Sequence, residues 1–478
     1  MRSTFTGLEI SKRGLFAQQA ALQTTGHNIT NANTRGFSRQ VVNMEASRPL
    51  ENLGMQRSTV PGQNGQGVEI NSVVRIREQF LDKQFYNENK GLGEWSVRRD
   101  TLEKLEAIVN EPSDTGMRQV LDNFWNSWQE LSKQPDNLET RAVVKESALA
   151  MTDAFNNVAK KLNDLSLDLA DNISVKITEV DSTLKQIAAL NNEIFRIEGL
   201  GNNANDLRDQ RDVLVDDLSK VVNVTLQEES NGYTIRMGNV VLVTGDTANA
   251  FTNATVQAAY PNDLTSGELF GLTYSQANYV TEYKNQLNSM AATLIDEVNK
   301  VHKQGYTLKD PATLGGNFFN PVVDPLNAAA TFSVSSAITS DVENIAASMR
   351  KDDVTGKVIK GNNELALKMA DVKNTKYNFN GSGVQKIILN GGTFDEFLRA
   401  VVSELGVKTQ EAERQATNQK ILADQLESRR QSVSGVSLDE EMANMIKFQH
   451  AYNAAARAMT TYDEALDKVI NGMGVVGR

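Results

Sequence analysis

The most regular hydrophobic repeats of this chain lie at its two extreme ends, and that placement constrains everything between them. In SGVSLDEEMANMIKFQHAYNAAARAMTTYDEALDKVINGMG, Ser434 to Gly474, an apolar stripe runs through Leu438, Met442, Met445, Phe448, Tyr452, Ala455, Met459, Tyr462, Leu466 and Val469. Steps of three and four predict an amphipathic helix. Ser437 and Glu440 have capping-box spacing, and Asp439, Glu440 and Glu441 put negative charge at the positive end of the helix dipole. Gly472 and Gly474 mark its end. Some thirty-five residues make a rod of roughly 50 Å. Burying each large side chain of the stripe is worth on the order of 2 kcal/mol, so the rod needs an equally long partner.

The other end of the chain supplies one. Met1, Leu8, Leu15, Leu22 and Ile29 recur every seventh residue, with Phe5, Phe16 and Ala20 beside them, predicting a second helix of matching length. Gly36 ends that helix and Gly435 precedes the last one, so the pair leaves the body through two glycine-marked joints, read as a hinge. Residues 1 to 40 carry Arg2, Lys12, Arg13, Arg35 and Arg39 against Glu9, whereas 436 to 478 hold six acids and four bases, so the ends attract weakly. An ordinary globular core is the alternative account of any amphipathic stripe. Chain ends are usually frayed, however, and stripes of this regularity at both termini point to segments that become ordered by assembling with other copies.

The 478 residues suffice for about three domains, and 40% hydrophobic with 23% charged residues is enough to bury a core. A net charge of −11 without any basic run argues against nucleic acid. No stretch reaches the roughly eighteen apolar residues of a membrane span, and MRSTFTGLEISKRG lacks the apolar core of a cleaved secretory signal. With no cysteine, disulfides, thiolate nucleophiles and cysteine metal sites are excluded. His27, His302 and His450 lie far apart, and structural or incidental roles suit them better than metal ligation or base catalysis.

Between the ends the chain reads as mainly α with β-rich insertions: an elongated multidomain protein with paired terminal helices forming a coiled coil, a helical-bundle body, and smaller β-rich central subdomains. Asn28 to Gln40 is a helix end passing into a loop. PGQNGQG, Pro61 to Gly67, lacks the Lys-Ser/Thr of a phosphate loop and reads as a turn before the strand VEINSVVRI. Residues from about 78 to 133 are helical, with Leu121, Phe124, Trp125, Trp128 and Leu131 on one core-facing side. The longest periodic segment follows, from Val144 to Ile197, with one possible break near Asp171.

In ANDLRDQRDVLVDDLSK, Asp209, Asp212 and Asp216 share a helical face. A cation site is conceivable there, but the interleaved Arg208 and Arg211 favour a solvated or ion-paired face. Residues 223–272 are β-rich, with an Asn231-Gly232 hairpin turn, and helix returns from about 275 to 304. Pro311, Pro321 and Pro325 open a mixed stretch, 306–392, with TFSVSS and QKIILN as short strand candidates. From Thr393 a long helix through Phe397, Val401, Leu405, Ala412, Ala416, Leu422 and Leu426 hands over to the terminal one. The layout is nested. Residues 1–35 plus 436–478 form a terminal assembly domain, 36–305 plus 393–435 a mainly helical body, and 306–392 a β-rich outer subdomain.

Several segments match a known family. ISKRGLFAQQAALQTTGHNITNANTRGFSRQ resembles the terminal segment shared by axial proteins of the bacterial flagellum. ANDLRDQRDVLVDDLSK, FWNSWQELSKQPDNLETRAVV and the terminal stretch from Ser434 are similar to the hook-associated members of that family, those at the junction of hook and filament. The resemblance implies that the terminal helices line the inner tube of the axial structure and that subunits assemble into a short ring. It implies hook protein on one side and a second junction protein adjoining the filament on the other. It further implies unfolded export through the flagellar type III pathway to an extracellular destination, with a dedicated chaperone on the C-terminal helix.

The assembly interface expected on this reading comprises Leu8, Leu15, Leu22 and Ile29 with Leu438, Met442, Met445, Phe448, Tyr452, Met459, Tyr462, Leu466 and Val469, and the hinge comprises Gly36 and Gly435. No cofactor, metal or catalytic residue is expected. Two alternatives remain open: another axial component, such as the second junction protein, hook or distal rod, or a secreted cell-wall-active enzyme using paired carboxylates. The latter needs two carboxyl groups at fixed separation in a cleft, and no Asp or Glu stands out from solvated helix faces.

Overall fold

The computed structural model describes residues 5–49, 65–109, 116–379 and 387–471; Met1, Gly472 and Gly474, and Pro61 to Asn64 of the glycine-rich turn, lie outside them. Helix α1 (Thr6–Thr30) leads into an antiparallel hairpin of β1 (Gln40–Ala46) and β2 (Val68–Arg75). Then come α2 (Gln79–Val109), α3 (Met117–Lys133), α4 (Leu138–Glu198) and α5 (Asn205–Val221). A four-stranded antiparallel meander follows: β3 (Thr225–Glu229), β4 (Gly232–Met237), β5 (Val240–Thr244) and β6 (Thr247–Ala248). Next are α6 (Asn253–Ala259), α7 (Glu268–Tyr274), a π-helical turn (Ser275–Val280) and α8 (Thr281–His302). A largely irregular stretch carries α9 (Ser336–Ser340), α10 (Glu364–Asp371) and the two-residue strands β7 (Tyr377–Asn378) and β8 (Gly391–Gly392). Helices α11 (Phe394–Ser434) and α12 (Leu438–Asn471) end the described chain. The architecture is therefore mainly α with small antiparallel sheets and long terminal helices.

Two compact units emerge: residues 1–92, 177–267 and 419–478 form the first, and 93–176 and 268–418 the second. In the first, the meander turns at Asn231-Gly232, where Gly232 takes φ +120°, a region open to glycine, and Glu229 pairs with Gly232 across the strands. A second tight turn at Gly238 and Asn239 joins β4 to β5. Asn191 braces the sheet through Nδ2, which donates to Gly245 O at 2.7 Å, and through Oδ1, which accepts from Tyr233 N at 3.2 Å.

The second unit is organised around aromatic side chains. Phe124 and Trp128 of α3 are fully buried, with Phe318 5.5 Å from Trp128 and 6.0 Å from Phe124. Phe319 and Phe332 (4.7 Å) and then Phe155 (5.2 Å from Phe332) extend the cluster. Each such pair adds roughly 0.5–1.5 kcal/mol beyond its buried area. The irregular 306–363 backbone lines this same core, held by buried side chains in place of a ladder. Asn299 exchanges two hydrogen bonds with Phe319, both 2.9 Å. His302 sits between Gly316 O (2.8 Å from Nδ1) and Ala346 N (2.9 Å from Nε2). Burial pushes the His302 pKa down to about 4 against the bond to Gly316, so the ring is neutral and structural.

Four local expectations change. α4 runs unbroken through Asp171, because its buried stripe of Leu165, Leu169, Ile173 and Ile177 continues in steps of four while Asp171 stays exposed. Helix returns well before 275, first as the short α6 and then as α7 from Glu268. Gly271, a weak helix former, is used there because a Cβ would lie 2.8 Å from the Glu94 carbonyl oxygen, so close packing overrides propensity. TFSVSS forms only a single bridge, Val334 to Phe319. The described end of QKIILN, residues 387–390, forms no strand.

Candidate assembly interface

Helices α1 and α12 pack against each other. Tyr462 lies over Gly7, where a Cβ would stand 2.5 Å from its ring, and Ala455 lies 3.7 Å from the corresponding point on Gly14. Asn28 bonds Glu441 at 3.0 Å. Each advance along α1 is matched by an equal retreat along α12, so the two run antiparallel in one register. That register brings Ala21 opposite Phe448.

The centre of the seam on α1 is made of small residues. Ser11, Ala17, Ala21, Thr25 and Asn28 are buried, whereas Leu8, Leu15, Leu22 and Ile29 are half-buried alongside them. Periodicity marks the large side chains; close helix approach is made by the small ones between them. On α12, Met445, Phe448, Met459 and Leu466 are half-buried, while Leu438, Met442, Tyr452, Tyr462 and Val469 are exposed. Ile446, absent from the sequence-derived set, is also exposed. Leu438, Met442 and Ile446, at 48%, 57% and 54% exposure, follow one another at steps of four on the first turns of α12. Phe16 of α1, and Phe5 just before it, are exposed as well. The β1–β2 hairpin packs on α1: Arg13 Nη1 donates to Ser47 Oγ (2.6 Å) and Glu69 Oε1 (2.8 Å).

The joint is shaped by packing around its glycines. α1 ends at Thr30, capped by the Asn31 N–H on His27 O at 3.1 Å, six residues before Gly36. Gly36 sits in a turn at φ +78°, and a Cβ there would stand 2.0 Å from Val213 Cγ2. Its missing side chain is what lets the 31–38 loop lie on α5. Gly435 takes an ordinary negative φ, donates to Gln431 O at 2.8 Å, and a Cβ there would meet that same oxygen at 2.3 Å. Glu440, the second residue of the expected capping box, places Oε2 3.0 Å from Arg39 Nη1.

Below the joint lies a buried ion network that sequence reasoning located only by its acids. Asp209, Asp212 and Asp216 of α5 do share a face, but that face is buried and meets arginines from distant segments. Arg75 Nη1 reaches Asp209 at 2.6 Å and Asp212 at 2.8 Å. Arg77 reaches Asp82 at 2.7 Å and Asp212 at 3.2 Å. Arg430 reaches Asp216 at 2.9 Å and Asp82 at 3.0 Å, and Arg211 stacks 3.4 Å from the Tyr233 ring. The interleaved Arg208 instead pairs with Glu198 (2.6 Å) and Glu228 (2.9 Å). Four acids and four arginines thus balance in charge.

Desolvation works to raise the Asp212 carboxyl, but Arg77, Arg75 and Arg211 together hold it below the usual range. Desolvation wins at Asp216, which rises to about 6 despite Arg430. Among the described residues no group of three or more His, Asp or Glu could hold a metal, and no helix is long and apolar enough to cross a membrane. Besides the row of acids, the local signal for the network was the alternating Arg75 and Arg77 at the end of VVRIR; only Asp82 lies near them in sequence, and their partners on α5 are more than a hundred residues away.

Known proteins resemble this chain over its whole length. Residues 102–319 match the model for the flagellar hook-associated protein FlgK helical domain, and 428–472 match the flagellar basal body rod FlgEFG protein C-terminal model. The chain is 35% identical to flagellar hook-associated protein 1 of Bacillus subtilis, covering 100% of both chains. It is 26% identical to the protein of that name from Salmonella typhimurium, covering 96% of this chain and 98% of the relative. The solved structure of the flagellar hook junction protein FlgK from Burkholderia pseudomallei aligns with a TM-score of 0.61 at 13% identity, covering 75% of this chain and 100% of the other. On full-length identity to the Bacillus protein, the chain belongs to the flagellar hook-associated protein 1 family.

Proposed function

We propose that this chain is a structural junction protein of the extracellular bacterial flagellum, self-assembling through its terminal helices into a ring that joins hook to filament. One observation carries the reading. α12 uses one side against α1 and leaves Leu438, Met442 and Ile446 on another, an apolar strip that a neighbouring copy would cover. The terminal module, residues 1–35 plus 436–478, supplies the contacts, with Leu8, Leu15, Leu22 and Ile29 and the α12 stripe shared between the intrachain seam and neighbours. Gly36 and Gly435 mark the hinge at which it leaves the body. Hook protein and a second junction protein flank the ring, which requires heterologous, head-to-tail contacts.

Before export an apolar, Met-rich helix needs cover, a role we assign to a chaperone on α12. Export then proceeds through the flagellar pathway. No catalytic role is proposed: the acids that cluster are neutralised by arginines at hydrogen-bond distance. Deleting residues 436–478 is the test. The body remains folded and fails to enter the flagellum; a truncated chain that still occupies the hook tip overturns the proposal.

A further inference from the structure

We infer that Glu441 is a positioning residue, a latch whose buried carboxylate fixes the direction in which the α1–α12 pair leaves its unit. The inference concerns the free chain and goes beyond the assembly role. Acids in the first turn of a helix favour its dipole and normally stay in water; Asp439 and Glu440 are exposed. Glu441 is 2% exposed, and a buried carboxylate is costly unless donors meet it. Each oxygen has one. Arg39 Nε donates to Oε1 at 2.8 Å, and Asn28 Nδ2 donates to Oε2 at 3.0 Å.

Both donors are themselves pinned. Asn28 holds the Gln40 backbone from both sides, Nδ2 to Gln40 O at 2.9 Å and Oδ1 from Gln40 N at 3.0 Å. The Arg39 N–H donates to Ser434 O, and its carbonyl accepts from Ile76 N, both at 2.8 Å. The Gln40 side chain continues into α5, with Nε2 on Asp206 Oδ1 at 2.7 Å and Oε1 accepting from Asn205 Nδ2 at 3.2 Å. The end of α1, the start of β1, the end of α11 and the first turn of α12 therefore converge on one carboxylate. The connector Gly435–Ser437, half-buried to exposed, borders a cleft of about 970 Å³. Any other direction for α12 withdraws Glu441 from both donors and strips the pinned Arg39 and Asn28 of the carboxylate they hold. The polar contact thus locks the joint at the point where the α1–α12 seam meets β1 and α11.

The absence of cysteine permits a direct test in the full chain. Lys83→Cys and Asn453→Cys, both exposed, carry spin labels, and pulsed electron–electron resonance reads their separation. The parent gives one narrow distance peak. Glu441→Ala and Arg39→Ala each lose that peak to a broad distribution with helix content and melting retained, and the double variant is no broader than the worse single one. If Glu441→Ala fails to fold, Arg39→Lys, which keeps charge but removes the Nε contact, serves instead. A single narrow peak in folded variants at the parent distance overturns the latch. Incorporation into flagella is scored separately, so failure of the latch and failure of the junction role are told apart.

Discussion

Gly36→Ala puts a number on how tightly the joint is built. The added methyl group stands 2.0 Å from Val213 Cγ2 on a backbone with φ +78°. Two costs separate cleanly: a left-handed L-residue costs roughly 1–2 kcal/mol, and forcing a methyl into occupied space about 1–3 kcal/mol. Together they destabilise by about 2–5 kcal/mol, a large part of the 5–15 kcal/mol that holds a typical domain. Val213→Ala removes the obstructing methyl but not the strain. In that background Gly36→Ala costs only about 1–2 kcal/mol, leaving a coupling of about 1–3 kcal/mol. Trp95, Trp125 and Trp128 all belong to the second unit, so tryptophan fluorescence does not read the first. Hydrogen exchange over Asn205–Val221, followed against denaturant, does. A cost below about 0.5 kcal/mol, or strict additivity with Val213→Ala, refutes the packing account of this glycine.

Three further outcomes follow from buried groups. Asp216, at about 6 in the fold against an ordinary value near 3.9, binds its proton more tightly when folded. Its contribution is full below about 3.9 and is lost as pH rises through about 6, so Asp216→Asn gains on the parent by about 2 kcal/mol between pH 4 and pH 7 in denaturant titrations. His302 has the opposite sign. With a folded value of about 4, it stabilises fully above about 6.5 and loses up to about 3 kcal/mol as pH falls toward 4; His302→Gln is less stable at neutral pH but flattens that decline, read by tryptophan fluorescence. Phe319→Ala, emptying a fully buried site among Phe124, Phe318 and Phe332, costs about 3–5 kcal/mol.

The features that were legible in the sequence share a cause: they are written locally. Apolar steps of three and four announced α11 and α12, and Asn231-Gly232 announced the meander. The seam of α1 was only half legible, because Ala17, Ala21 and Thr25 carry little hydrophobic signal and matter for their small size. The Asp209, Asp212 and Asp216 row was visible, but Arg75, Arg77 and Arg430 reach it only through tertiary folding. Glu441 read only as one of three dipole acids, and the capping-box spacing from Ser437 singled out Glu440 instead. The 306–363 region was illegible for a related reason. Asn299, His302 and Arg141 hold its backbone from other segments, Arg141 through the Ile345 carbonyl.

The central claim, that α12 turns one side inward and another toward neighbouring copies, is tested most directly by position-specific crosslinking in isolated flagella. A photoactivatable maleimide is placed on Ile446→Cys, outward in the free chain, and in parallel on Met445→Cys, on the side facing α1. The account predicts adducts between copies of this chain from position 446 and adducts within one chain, to α1, from position 445. Flagella that contain the labelled protein yet yield only intrachain adducts from position 446 contradict it.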